Sequence, residues 1–546
     1  MRPRLHRLKL PSPLLGSNLL HHGPLVHHAK LTCSRARPNL PFLATPNAKS
    51  ALASRSYTSD KRQWLKHEAK LVVRYTLSLW GIACCFLCIW FFIGEEINER
   101  EFPTPHDWPF LTRKYLRDAN LFKSPSDGQV DWPKALQLSR LVVLYLEDRK
   151  KGGKDVVKFR NKKKKMSPQD REFISCDISA MPEEWRRGYY EAIMLAAKAA
   201  EHLDGWVRDR SRNIVSPPEY VIGPSNPRPA PIPPKSAHAP RQEDCEIAYP
   251  VADNWYLKIL ATEGFTARQK MNAALEYASF SEFKGQTEGA DALYNLALAE
   301  ASQGIAPEDL PYDPKTLVMK SDATSPSQNV LDALTAIATS KARRGDVTCA
   351  LPIFISLLRA RRSLSNTRPK PTSKPKKLKD YEMIMQFFAQ PPYPPPPPDG
   401  TQTPWRDVGE RCQEASLSLY IGEILFSQSP GGEGLAWTRD SVDLSEEQLR
   451  RLSRQEEDKE AKHTCRQCLV SGLDNWAVMV SRLARMEEEQ KKSSSQPSPF
   501  SLWKRREDDG RWEAEQAVVE ERKRRTRELV EDLKPSSTSF WSFLKA

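Results

Sequence analysis

Cys465 and Cys468 stand three residues apart with His463 just before them, a CxxC in the part of the chain that follows the apolar span. A structural zinc site wants a second such pair, and the chain beyond its apolar span offers neither a second CxxC nor an HxxxH partner. Two thiols three apart on a helix can approach disulfide range, so a redox pair and two small buried residues are the readings left. Of ten His, five fall within the first 28 residues; His67, His106, His202, His238 and His463 lie far apart. No phosphate-binding loop, dinucleotide Gly-rich turn, zinc-protease His pair or nucleophile elbow occurs. These residues point to a chain with no catalytic site, no metal and no cofactor.

The net charge of +14 suggests nucleic acid until it is partitioned. Residues 1–57 hold nine Lys or Arg, with no acidic residue before Asp60, so removing them leaves +5. A second block, 149–165, holds ten basic residues against Asp155, and setting it aside leaves −4. The remaining chain is mildly acidic, which excludes a general nucleic-acid groove.

The leader's Arg, His, Ser and Leu without acid are the composition of a mitochondrial transit peptide. Arg55-Ser56-Tyr57-Thr58 resembles a mitochondrial processing site, with the cut expected after Tyr57. Residues 58–74 are then a short matrix segment. From Tyr75 to Gly94 run 20 uncharged residues, which as a helix cover roughly 30 Å, the hydrocarbon thickness of a bilayer. Lys61, Arg62, Lys66, Lys70 and Arg74 precede the span, whereas Arg100 alone among basic residues occupies the fourteen positions after it. That bias places the N-terminus in the matrix and everything after Gly94 in the intermembrane space, a single-pass protein of the mitochondrial inner membrane.

Beyond the span, 95–130 reads as a stiff neck whose Phe102 and Trp108 suit the headgroup interface. A helical region follows over 131–210: one helix over 131–148 capped by Asp131 with Pro133 in its first turn, another over 182–206 with Tyr189, Ile193, Ala196, Ala197, Ala200 and Leu203 on one side. The basic block 149–165 between them reads as a solvated loop with attraction to an anionic membrane surface as its alternative, since like charges repel and little can be buried. Residues 211–250 and 366–404 read as Pro-rich linkers, the run at 391–398 as a spacer in preference to a docking ligand. The charged tail, 487–546, reads as a solvated or partly disordered helix closing on Phe540, Trp541 and Phe543.

Self-similarity appears at 251–365. Ala278, Gly285, Ala290 and Tyr294, followed by Ala297, recur in spacing as Ala338, Gly345, Ala350 and Phe354. Small residues let two antiparallel helices approach, the glycines take the positive φ that ends the first helix, and the aromatics plug the space toward the next repeat. These residues resemble the tetratricopeptide repeat (TPR), with Ala274 or Leu334 at the usual Trp position and no terminal Pro. Weaker matches lie within 405–486. Two repeats bury too little alone, so the expected fold is all-α: an irregular TPR-like α-solenoid anchored by one N-terminal transmembrane helix.

Anchor, topology and repeats together resemble the TPR-bearing adaptor subunit of the fungal mitochondrial i-AAA protease. The resemblance implies a non-enzymatic, protein-binding adaptor whose partners are that protease and unfolded client proteins, held along first helices at 274–283 and 334–341. A scaffold or assembly factor for a respiratory or import complex is the alternative, and an enzyme without recognisable motif the alternative of another class.

Overall fold

The computed structural model describes residues 59–124, 130–153, 155–159, 173–232, 238–320, 326–367, 393–452, 459–493 and 511–531. The expected processing site at Arg55, Tyr57 and Thr58 lies outside them, as do the terminal aromatics. The chain divides into two compact units, residues 1–88 and 89–546.

In the first unit the described residues are all helical. They belong to α1, Ser59–Glu101, the one helix among the described residues long and apolar enough to cross a membrane. Trp80, Ile82, Phe86 and Leu87 are exposed, apolar side chains all round a helix with no polar face, which suits lipid rather than water.

The second unit is mostly helical. The last turns of α1 give way at Phe102 to an irregular stretch, then α2 (Phe110–Lys123) and α3 (Trp132–Glu147). Asp131 caps α3 by accepting from Lys134 N, with Pro133 in the first turn, as the sequence predicts. After α4 (Glu183–His202) come α5 (Ala252–Ala261), α6 (Ala267–Phe283), α7 (Thr287–Ala301), α8 (Gln328–Arg343) and α9 (Val347–Arg362). The chain ends its described part with α10 (Val408–Gln428), α11 (Gly432–Leu452), α12 (Lys459–Ser493) and α13 (Arg511–Glu531). From α2 onward each helix packs on its successor, and α4 also touches α6, α6 touches α8, and α10 touches α12. Three apolar cores follow one another along the chain: one centred on α2–α5, one on α6–α10, one on α10–α13.

Several expectations are corrected. The neck is not an extended exit with its Trp at the headgroups. Trp108 is 3% exposed, packed edge-on to Trp185 and against Gly188, where even a Cβ would collide with its ring. The basic block is not wholly solvated: Val157–Lys158 (β1) pairs antiparallel with Cys176–Asp177 (β2), Val156 is buried, and Lys158 reaches Glu147 at 2.7 Å. Lys154 and residues 160–165 lie outside the described residues. The first Pro-rich region is no simple linker. Val207–Asp209 (β3) is the centre of a three-stranded sheet between Ile214–Ser216 (β4) and Cys245–Ile247 (β5). Asn226 ties the intervening prolines together, its amide donating to the carbonyls of Glu219 and Val221 at 2.9 and 3.1 Å. At the other end α13 is docked rather than solvated. Val519 and Thr526 are fully buried, and Arg522 pairs with Glu446 of α11 at 2.7 Å.

Candidate functional site

The recurring glycines follow the ends of α6 and α8. Lys284 caps α6 and Gly285 takes φ +76°, while Arg344 caps α8 and Gly345 takes φ +84°. In both turns the N–H two residues past the cap bonds back five positions: Gln286 to Ser281 and Asp346 to Lys341, each at about 3 Å (2.9 and 3.0 Å). This is the C-terminal arrangement in which glycine satisfies otherwise orphaned carbonyls. Ala278, Ala290, Ala297, Ala338 and Ala350 have no exposed surface, so α6 closes on α7 and α8 on α9 without space for larger side chains. Ala274 and Leu334 are equally buried.

Tyr294 and Phe354 do different work. Phe354 is fully buried and stacks on Tyr420 of α10, centroids 5.3 Å apart, joining the second pair to the third. Tyr294 donates to Glu282 at 3.1 Å, and Glu282 in turn accepts from Ser340 at 3.0 Å, Arg343 at 2.9 Å and Arg344 at 3.2 Å. Burial pushes the Glu282 carboxyl up, but the Ser340 hydroxyl, Arg343, Tyr294 and Arg344 together hold it below the ordinary carboxylate range. The first pair is thus pinned to the second by a carboxylate. The sequence pattern did not contain that contact, because Glu282 lies outside the repeated positions.

Two openings flank these helices. Val318, Met319, Leu351, Pro352, Ile355 and Arg359 line a cavity of about 570 Å³ beside α9. A shallower one of about 400 Å³, between α11 and α13, is walled by Glu446, Arg450, Arg451, Arg522 and Arg525, whose charges answer one another.

A buried polar cluster lies elsewhere. Glu147 of α3 accepts from Tyr189 of α4 at 2.9 Å and pairs with Lys258 of α5 and with Lys158. Glu147 and Lys258 side chains are 1% and 0% exposed, too enclosed to meet a substrate. Burial, with the Glu147 charge beside it, pushes the neighbouring Cys176 thiol up to about 11, away from the thiolate a nucleophile needs. The cluster ties three helices together.

The cysteines separate. Cys465 bonds Cys412, joining α12 to α10, and Cys468 stays a buried free thiol. The choice between a 465–468 pair and two small core residues is therefore resolved differently for each: the partner of Cys465 lies 53 positions away. Cys176 is buried as expected of small core residues, Cys245 partly so, and Cys349 is exposed. His463 is exposed, and among the described residues no group of three His, Cys, Asp or Glu is placed to hold a metal ion.

The Glu residues after the apolar span also have a structural task. Glu95 meets Lys114 at 2.5 Å and Arg117 at 2.6 Å; Glu99 meets Arg113 at 3.0 Å, Arg117, and the Thr104 N–H at 2.9 Å. The cations that follow the fourteen acidic-biased positions are thereby paired within the fold. What the arrangement offers chemically is helix surfaces, grooves and paired charges. No family model, curated protein or solved structure matches the chain, so the reading of its function rests on these residues themselves.

Proposed function

We propose that this chain is a membrane-anchored, non-enzymatic adaptor that binds proteins along an irregular TPR-like solenoid. On this reading it sits in the mitochondrial inner membrane with its body in the intermembrane space, presenting unfolded clients to the i-AAA protease. The observation that carries the proposal is the succession of antiparallel helix pairs α6/α7, α8/α9 and α10/α11. Of their first helices α6 and α8 neighbour one another, α4 lies against α6, α10 packs on α9, and the repeat glycines and alanines sit at the turns and crossings. Such an array presents a surface rather than a reaction centre. The Cys412–Cys465 bond supports an oxidising location for the body over a reducing one.

The test is crosslinking in intact mitochondria, followed by identification of the attached proteins. An ATP-dependent protease of the inner membrane should lead. Recovery of respiratory or import subunits in its place would transfer the chain to the scaffold reading. In mitoplasts, added protease should remove everything after Gly94; a protected body would overturn the topology.

A further inference from the structure

The Pro-rich run expected to be a spacer is bound to the chain's own helices. Near the start of α4, Arg187 donates to the Pro395 carbonyl at 2.8 Å and to that of Pro394 at 2.6 Å, with its guanidinium 4.2 Å from the Tyr393 ring centroid. Six residues on, the Asn329 amide near the start of α8 donates to the Asp399 carbonyl at 2.9 Å, and the Asn329 N–H to Gly400 at 3.0 Å. Arg268, near the start of α6, braces Asn329 at 3.1 Å. A Cβ on Gly400 would strike both Asn329 and Arg268, and its φ is +68°. Gln328 N–H then donates to Gln402 at 3.3 Å. The chain from Tyr393 to Gln402 thus crosses the N-terminal ends of three consecutive first helices.

The chemistry of this contact is that of peptide recognition. A polyproline stretch has no internal hydrogen bonds, and its carbonyls are open to outside donors; its stiffness keeps the entropic cost of binding low. Arg187 supplies donors to two of those carbonyls and its cation to one aromatic face, and the start of α8 supplies side-chain and N-terminal donors to the Asp399, Gly400 and Gln402 carbonyls that follow. Between the anchors Pro394–Asp399 stay exposed. Beside Tyr393 a cavity of about 200 Å³, bounded by Phe102, Pro103, Asn120 and Glu191, is left unfilled. A segment held at its two ends over an incompletely filled groove can be displaced.

We propose that the N-terminal ends of α4, α6 and α8 form a receptor for an extended Pro-rich segment of a partner protein, with an aromatic residue ahead of its prolines. Residues 393–402 occupy it in cis as a built-in competitor. This deepens the adaptor reading and rests on its protein-binding part. Because the strap is tethered, its effective concentration is of order millimolar, so a partner must bind well or arrive multivalently to displace it.

The test uses the full chain in detergent and a fluorescent peptide of sequence Pro-Pro-Tyr-Pro-Pro-Pro-Pro-Pro-Asp-Gly, followed by anisotropy. Two variants open the site: replacement of 393–398 by Gly and Ser, and Gly400→Val, each checked for helicity and a cooperative melt. Both should bind the peptide about tenfold or more tightly than the unaltered chain, and adding Arg187→Gln should remove about tenfold of that gain. Equal binding by open and unaltered chains, or indifference to Arg187→Gln, would overturn the proposal. So would loss of folding in both open variants, since the strap would then be a structural part. If Gly400→Val dimerises rather than binding peptide, the occupant in trans is a second copy and the partner assignment fails. Peptide binding without any protease or client among crosslinked proteins would leave this receptor standing while the adaptor reading falls.

Discussion

At the scale of single residues, the repeat signature acts through absence of bulk. Ala338 has no exposed surface where α8 meets its neighbours, so Ala338→Leu should cost about 1–3 kcal/mol in urea unfolding. Gly345→Ala tests a different term: nothing lies within 4 Å of an added Cβ, and only the φ of +84° opposes it, so about 1–2 kcal/mol is expected. Glu282 makes a prediction in pH. Its carboxyl is held low, so its share of stability is complete above the unfolded value of about 4.3 and disappears as pH falls through the lower folded value. Glu282→Gln should therefore weaken the chain near neutral pH and flatten the acid side of its stability curve; an unchanged acid slope would count against the Glu282 link between repeats.

At the scale of elements, amphipathic pattern and capping chemistry placed α3 and α4 but not α2, which lies in the stretch read as a neck. Asp131 and Pro133 mark the start of α3, and the apolar side of 182–206 is the buried side of α4. What the pattern did not reveal is which elements ionic contacts recruit. Lys158 lies in a block that looks too charged to pack, yet Glu147 draws it onto the body, with β1 pairing to β2. The charged α13 docks because Arg522 meets Glu446 and because Val519 and Thr526 line its buried side. The Glu147–Lys258 pair holds α3 to α5. Burying both charges is costly, and removing one leaves the other uncompensated, so Lys258→Met should destabilise by about 3–5 kcal/mol in thermal unfolding. Replacing both by apolar residues of similar volume should recover most of that loss. A single variant as stable as the parent would show that the pair does not hold these helices.

At the scale of the whole molecule, the Cys412–Cys465 bond closes a long loop through α10 and α12. Chain entropy for a separation of 53 residues gives a stabilisation of about 4 kcal/mol. Reduction, or Cys412→Ala, should lower the unfolding midpoint accordingly. A midpoint insensitive to reductant would remove the bond from the account and with it one support for an oxidising location. The sequence by itself determined the helical class, the apolar helix, the helix pairs at 271–300 and 331–361, and their glycine turns, because periodicity, capping and small-residue spacing are local. Tertiary structure alone decided the remote partners: Cys465 with Cys412, Tyr294 with Glu282, α13 with α11, and the Pro-rich strap with Arg187 and Asn329. Each of those pairs groups separated in the chain by loops or whole helices, and the free energy that selects them arises only when the packed helices bring donor, acceptor and sulfur into reach.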